Sequence, residues 1–382
     1  MTRVAVNPDL LDWALARAGL SADALTKAFP KIHEWLAGEI QPTLKQLEKF
    51  AQKTHTALGY FFLPEPPEET IPIPDFRTVS ERHPAQPSPD LLDTIYAMQR
   101  RQSWLREDRM ECGAEPLEFV GSATQQDDPS AVGREMRRLL GFETGWASRV
   151  RTWQDAVGEL RGAMEDIGIM AVINGVVGNS PNRVLDVGEF RGFALSDPYA
   201  PLIFVNGADA KSAQMFTLAH ELAHLWLGES ALSDAEPASL PDQSLENWCN
   251  RAAAEFLVPE EELRQYWPSV RHSEAPFETA ARQFKVSPIV AGRRAMDLLL
   301  VDRSVFFDFY QSYIQRERQN KKKSTGGNFY NNQNTRVGRL FTTQVIRAAM
   351  EGRIGFREAY HLTGLNGGTF QKYARRLGYE LQ

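Results

Sequence analysis

Two histidines four residues apart, His220 and His224, enclose Glu221 in the pentapeptide His220-Glu221-Leu222-Ala223-His224. On an α-helix, residues four apart share a face and are separated by about one turn of 5.4 Å, so both imidazoles can point at one ion. Glu221 is displaced by about 100° around the helix. It therefore stands beside such an ion, where a carboxylate can take a proton from water. The flanking residues Thr217-Leu218-Ala219 and Leu225-Trp226-Leu227 are largely apolar, so the helix is expected to be buried, and Gly228 is placed to end it. Two buried histidines are costly unless something satisfies them. Hydrogen bonds within an ordinary core are the alternative to a metal.

A third ligand is sought downstream. Glu246 lies 22 residues past His224, in a helical segment that Pro259 closes. On that helix Asn250, Ala253 and Leu257 fall within about 40° of Glu246, which leaves one carboxylate above a small or apolar face. Glu255, the competing acid, lies about 180° away and is expected to face solvent. Glu246 is thus the expected third ligand. Asn250, one turn on, is placed to orient it or a histidine from behind. An ordinary surface glutamate at a helix N-terminus is the alternative for Glu246. Two His and one Glu leave the fourth tetrahedral position of a Zn²⁺ ion to water, the arrangement of a catalytic site, with one ion expected per chain. Such an ion lowers the pKa of water toward ~7 and polarises a peptide carbonyl, while Glu221 acts as general base.

The elements that must carry these residues can be read from periodicity. Strand-like runs at Ile169 to Ile173, Arg191 to Ser196 and Pro201 to Asn206 precede the histidine helix. Helical patterns dominate from Asp90 to about Leu140, from Thr152 to Ile167, and from the Glu246 segment to about Asp302. The expected fold class is α+β, mainly helical, with a small β-sheet in a zincin-like core. The expected division is a helix-turn-helix-like head at 1–65, a Pro-rich linker at 66–89 containing Ile73-Pro74-Asp75-Phe76-Arg77, a helical connector at 90–149, and the metallopeptidase core at 150–302. A helix and basic linker at 303–328 and a basic helical, helix-turn-helix-like unit at 329–382 complete it.

The segments Phe216 to Gly228 (FTLAHELAHLWLG) and Glu246 to Pro259 (ENWCNRAAAEFLVP) resemble the ImmA/IrrE family of metallopeptidases. In that family an FTLA run opens the HExxH helix, and an ExxxNxxAAxxLxP segment supplies the third ligand. These patterns fall on His220, Glu221, His224 and Glu246. Ala281 to Pro288 with Arg293-Arg294 is similar to the family's closing helical pair, and the resemblance covers about Val150 to Asp302. It implies a gluzincin-like core that holds substrate beside an edge strand. By that analogy Gly192, Phe193 and Ala194 form the edge, with a plain structural strand as the equal alternative. It also implies a regulatory protein as substrate, typically a transcriptional repressor.

The N-terminal unit is similar to the repressor-type helix-turn-helix often fused to this family, through Trp35-Leu36-Ala37-Gly38 and Pro42-Thr43. Pro30 departs from that pattern. Residues 1–65 also carry seven basic and seven acidic side chains, so no phosphate-neutralising excess exists there. The whole chain has a formal net charge of −6, yet Arg316 to Gln382 holds thirteen Lys/Arg, Lys321-Lys322-Lys323 among them, against four Glu. That basic tail on an acidic body points to a polyanion, or else to a solvated tail. Ile354 to Arg376 reads as helix, Gly-containing turn, helix, with Lys372, Arg375 and Arg376 as candidate nucleic-acid contacts and Phe370, Tyr373 and Leu377 as its core stripe. Two distant cysteines, Cys112 and Cys249, and no apolar run of membrane-spanning length point to a cytoplasmic protein. The expected function is a zinc metallopeptidase acting on a regulatory protein, DNA-associated through either helical unit. The alternative is a non-enzymatic DNA-binding regulator or toxin–antitoxin component whose zinc is structural or sensory.

Overall fold

The computed structural model describes residues 3–75, 87–233, 244–319 and 335–379. These fall into two compact units, one within Met1–Pro72 with Ser80–Tyr96, the other within Ile73–Val79 with Ala97–Gln382. Phe76, Arg77 and the lysine run Lys321 to Lys323 lie outside the described residues.

The first unit is built from α1 (Pro8–Arg17), α2 (Ala22–Leu25), α3 (Ile32–Leu36) and α4 (Leu44–Lys53), with a 3₁₀ turn at Leu58–Phe62. Apolar residues at helical spacing make its core: Leu10, Leu11, Ala14 and Leu15 pack with Ile32, Trp35, Leu47 and Phe50. Ser21 caps α2, and Thr43 with Gln46 forms a capping box on α4. The helix that follows Pro30, α3, has only five residues, and two of them, Ile32 and Trp35, are buried.

The helix α5 (Pro89–Glu111) belongs to the first unit up to Tyr96 and to the second from Ala97, where α6 (Pro129–Leu139), α7 (Trp146–Arg149) and α8 (Trp153–Asp166) lead to β1 (Met170–Asn174), β2 (Gly192–Leu195) and β3 (Leu202–Asn206). Then come α9 (Lys211–Leu227), β4 (Ala231–Ser233), α10 (Ser244–Leu257), α11 (Glu260–Val270), α12 (Pro276–Phe284), α13 (Pro288–Asp297) and α14 (Arg303–Gln319). The chain ends in α15 (Arg339–Met350), α16 (Phe356–Thr363) and α17 (Gly367–Arg376). This is a mainly helical α+β fold. No helix among the described residues is long and apolar enough to cross a membrane.

The sheet order is β1-β3-β2-β4, with β1 and β3 parallel and the other pairs antiparallel. All four strands are buried throughout, so they read as continuous apolar runs. Alternate residues still divide between faces: Ala171, Ile173, Ala194, Ile203 and Val205 join the core around α8 and α9. Phe193 and Phe204, paired in register, stack at 5.0 Å between ring centres. The expectation that Gly192, Phe193 and Ala194 form an edge is corrected here. β2 is an interior strand, because the three-residue β4 pairs with its far side. The outer side of β4 in turn meets the linker, where Leu232 N–H donates to Pro74 O at 2.9 Å.

α10 packs tightly against α6 because Gly133 has no side chain. A Cβ there would lie 2.6 Å from Ala252 O and 3.0 Å from Glu255 Cβ. This contact overturns the expected exposure of Glu255. Its side chain is 3% exposed, pairs with buried Arg294 on α13, and meets Arg134 on α6 at 3.4 Å. A helical wheel gives the angle of a side chain but not what covers that face. Removing one member of such a pair leaves the other charge buried and unpaired. Glu255→Ala should therefore cost about 3 kcal/mol or more of stability in urea unfolding followed by tryptophan fluorescence. A loss below about 1 kcal/mol would match a solvent-facing carboxylate instead.

Candidate metal centre

The site is built on α9, which is buried from Gln214 to Trp226. Such a helix must end without leaving its last carbonyls unsatisfied. Gly228, at φ +73°, turns the chain so that Glu229 N–H reaches His224 O at 3.0 Å. Gly121 N–H and Ala123 N–H supply Leu225 O and Trp226 O at 3.0 and 2.9 Å. The helix is thereby fixed at its C-terminal end, one turn beyond the second histidine.

His220, Glu221 and His224 are fully buried, and Glu246 comes down from the first turn of α10 to meet them. His220 Nε2 lies 3.0 Å from Glu246 Oε2, and His224 Nε2 lies 3.2 Å from Glu246 Oε1. The two Nε2 atoms are 3.2 Å apart. Asn250, one turn after Glu246, places its Oδ1 3.0 Å from His220 Nδ1. When Nδ1–H donates to that oxygen, Nε2 is left to carry the lone pair facing His224 and Glu246. One potential ligand atom from each of His220, His224 and Glu246 lies within 4.8 Å of the others, so these three residues are brought together as a group able to hold a metal ion. Two imidazoles and a carboxylate form the donor set of a zinc-type site with a position left open.

Electrostatics support that fit. Burial alone would lower the His220 pKa, but the charge and hydrogen bond of Glu246, with Glu221 and Asn250, outweigh it and raise the imidazole to about 9. Burial opposes ionisation of Glu246 too, yet His220 and His224 hold its carboxyl well below the usual range. His224 is lowered, chiefly by burial. In the absence of a cation, then, a proton on His220 supplies the positive charge that the Glu246 carboxylate requires.

Glu221 points past this group toward the sheet. Ser233 Oγ donates to Glu221 Oε1, while Oε2 is buried with no hydrogen-bond partner among the described residues. Burial pushes this carboxyl up to about 8, against the opposing pull of His220 and Ser233. The carboxylate also backs onto β2 at Gly192, where a Cβ would stand 2.6 Å from Thr217 Cγ2, 2.9 Å from Phe204 O and 3.0 Å from Glu221 Oε1. Gly192 is needed here as the floor under Glu221, not as part of an edge. Sequence reasoning missed Ser233 because nothing in its neighbourhood marks a three-residue strand.

A cavity of about 440 Å³ is lined by Phe216, Asn250, Arg251, Val290, Arg293 and Asp297, and none of the four side chains of the centre lines it. Cys249 is buried one residue before Asn250, and burial raises its thiol well above the usual range, so it stays protonated. Lys372, Arg375 and Arg376 lie on α17 and are exposed. They are no part of this centre.

Residues 183–296 match the family described as IrrE N-terminal-like domain, named Peptidase_M78, and residues 337–376 match a domain of unknown function (DUF8813). The radiation response metalloprotease IrrE of Deinococcus radiodurans is 38% identical over 84 residues, which is 20% of this chain and 26% of that protein. The chain thus spans about a quarter of the length of the curated relative it matches. No solved structure matches it. The match at residues 183–296 encloses α9, β4, α10 and all four side chains of the centre, and it assigns this part of the chain to the ImmA/IrrE family as an IrrE N-terminal-like domain.

Proposed function

We propose that the chain is a zinc-dependent metallo-endopeptidase that hydrolyses a peptide bond in a regulatory protein, with a transcriptional repressor as the substrate suggested by its family resemblance. The observation that carries this reading is the convergence of His220, His224 and Glu246 on one point, with the carboxylate of Glu221 held beside that point and not in it.

His220, His224 and Glu246 would hold one Zn²⁺ per chain. Bound there, zinc supplies Lewis acidity, lowering the pKa of water at its open position toward ~7 and polarising a peptide carbonyl. The remaining work falls to protein side chains. Asn250 keeps the His220 ring in the tautomer that presents Nε2. Ser233 holds Glu221 by one oxygen, and glycine at 192 leaves room for that carboxylate. A cation held by the neighbouring ligands would favour the ionised form of Glu221, which would then take the proton of the attacking water and return it to the amine that leaves, so no covalent intermediate with the protein is required. A purely structural zinc site has no need of Glu221, which favours the enzymatic reading over a sensory or structural one.

Two predictions follow from this geometry. Zinc and the His220 proton compete for one nitrogen. Since the imidazole holds its proton up to about 9, zinc uptake at neutral pH should release about one proton. Apparent affinity should therefore rise about tenfold per pH unit from about pH 6 and level off near pH 9, as read by competition titration with a zinc indicator. His220→Ala or His224→Ala should abolish binding, and Glu246→Ala should weaken it strongly. Affinity independent of pH would remove His220 from the ligand set.

The second prediction separates chemistry from binding. Glu221→Gln keeps the side chain's shape but removes its capacity to accept a proton. Zinc content should barely change, while cleavage should fall ~10²–10⁴-fold. The readout is the disappearance of a co-expressed candidate repressor in cells carrying wild type or variant. A cell phenotype that survives Glu221→Gln and is lost with His220→Ala would instead favour zinc as a structural or sensing element.

A further inference from the structure

The three C-terminal helices are held to the rest of their unit by one set of cations and expose another. Residues 335–379 contain eight Lys/Arg and two Glu. Arg339 meets Asp166 at 2.6 Å and Glu165 at 3.6 Å, and Arg353 pairs with Asp108 on α5. Arg101 of α5 donates to Leu362 O at 3.1 Å and Arg336 O at 3.2 Å, and Trp104 packs edge-on against Phe341 at 5.6 Å. Arg339 and Arg353 thus answer core carboxylates.

Among the described residues, Lys372 and Arg375 of α17 make no ion pair that docks the helix to the unit. Its inner face, Phe370, Tyr373 and Ala374, is buried against the other helices of the unit. Leu377 is only half-buried at the end of that stripe. Gly368, Gln371, Lys372 and Arg375 fall at i, i+3, i+4 and i+7, so they form one stripe opposite the buried face. All four are exposed, as is Arg376 next to them. No acidic or apolar side chain interrupts this stripe, and glycines at 367 and 368 leave open space at the start of the helix. α16 and α17 meet through a tight turn at Gly364, φ +68°, whose carbonyl accepts from Asn179 Nδ2 at 2.9 Å. The result is a helix-turn-helix whose second helix presents a cationic and amide-bearing surface on a fixed support.

We propose that α17 is a binding surface for duplex DNA, with Lys372 and Arg375 neutralising phosphates and Gln371 placed to reach a base edge. A helix fits the major groove, and side chains of these types contact phosphate oxygens and base edges. A membrane surface is disfavoured because the outer stripe has no apolar side chain to insert. The α3 helix of the first unit is a poorer candidate, being five residues long with half-buried Glu34 next to exposed His33. This inference does not depend on peptidase activity.

The test uses the full chain and fluorescence anisotropy of a labelled random-sequence duplex of about 25 base pairs over a range of salt. Wild type should bind with an affinity that falls as salt rises. Lys372→Glu with Arg375→Glu should weaken binding at least about tenfold and reduce the salt slope by about 2. Lys49→Glu with Lys53→Glu, both exposed on α4 and giving the same change in net charge, should leave both unchanged. Thermal unfolding checks that each variant folds, and the milder Lys372→Gln with Arg375→Gln should show a smaller loss in the same direction. Wild-type affinity in both α17 variants overturns the proposal, as does no binding by wild type at low salt. Equal loss in the α4 variant reduces the effect to bulk charge and overturns it too. Tighter binding of single-stranded RNA or of anionic lipid vesicles than of duplex overturns the choice of ligand.

Discussion

Four ionisable side chains are buried together between α9, α10 and the sheet, and each would cost several kcal/mol to bury alone as an ion. His220, Glu221, His224 and Glu246 are tolerated there because each answers another. Glu246 bridges the two imidazoles, Asn250 supports the back of one of them, and Ser233 holds Glu221. Much of the surrounding fold positions these four side chains. Gly192 lets β2 come up against Glu221, and Gly228 with Gly121 satisfies the last carbonyls of α9. A group arranged in this way has its positive charge supplied by a proton or by a cation, and the donor set is matched to a cation.

The same physical logic explains which features were legible in the sequence. The two histidines and Glu221 are local, and helical spacing alone places them around one turn. Glu246 is distant in sequence, but the small and apolar positions below it mark the face of α10 that must pack inward. Three further features needed tertiary information. Strand order turned Gly192, Phe193 and Ala194 from an expected edge into an interior strand, because β4 is too short to carry a periodic signal. Ser233 belongs to that same strand. Glu255 is buried because Arg294, 39 residues away on α13, and the missing side chain of Gly133 create a place for it. None of these contacts leaves a pattern within a window of sequence.

Charge in the C-terminal region divides along the same line. Counting side chains shows an excess of cations, but not which are already engaged. Arg339 and Arg353 compensate Asp166 and Asp108 across the packing surface, whereas Lys372 and Arg375 have the buried Phe370 and Tyr373 behind them and solvent in front. Packing and ligand recognition thus fall to different basic residues of one short segment. The helix periodicity of α17 separates them.

The account rests most heavily on the identity of the atoms that meet at the centre. X-ray absorption at the zinc edge of the zinc-loaded chain tests this directly. The account predicts a first shell of two imidazole nitrogens and oxygen at about 2.0–2.2 Å, with the outer-shell scattering of two imidazoles and no sulfur. A sulfur neighbour at about 2.3 Å would bring Cys249 or Cys112 into the site and contradict it.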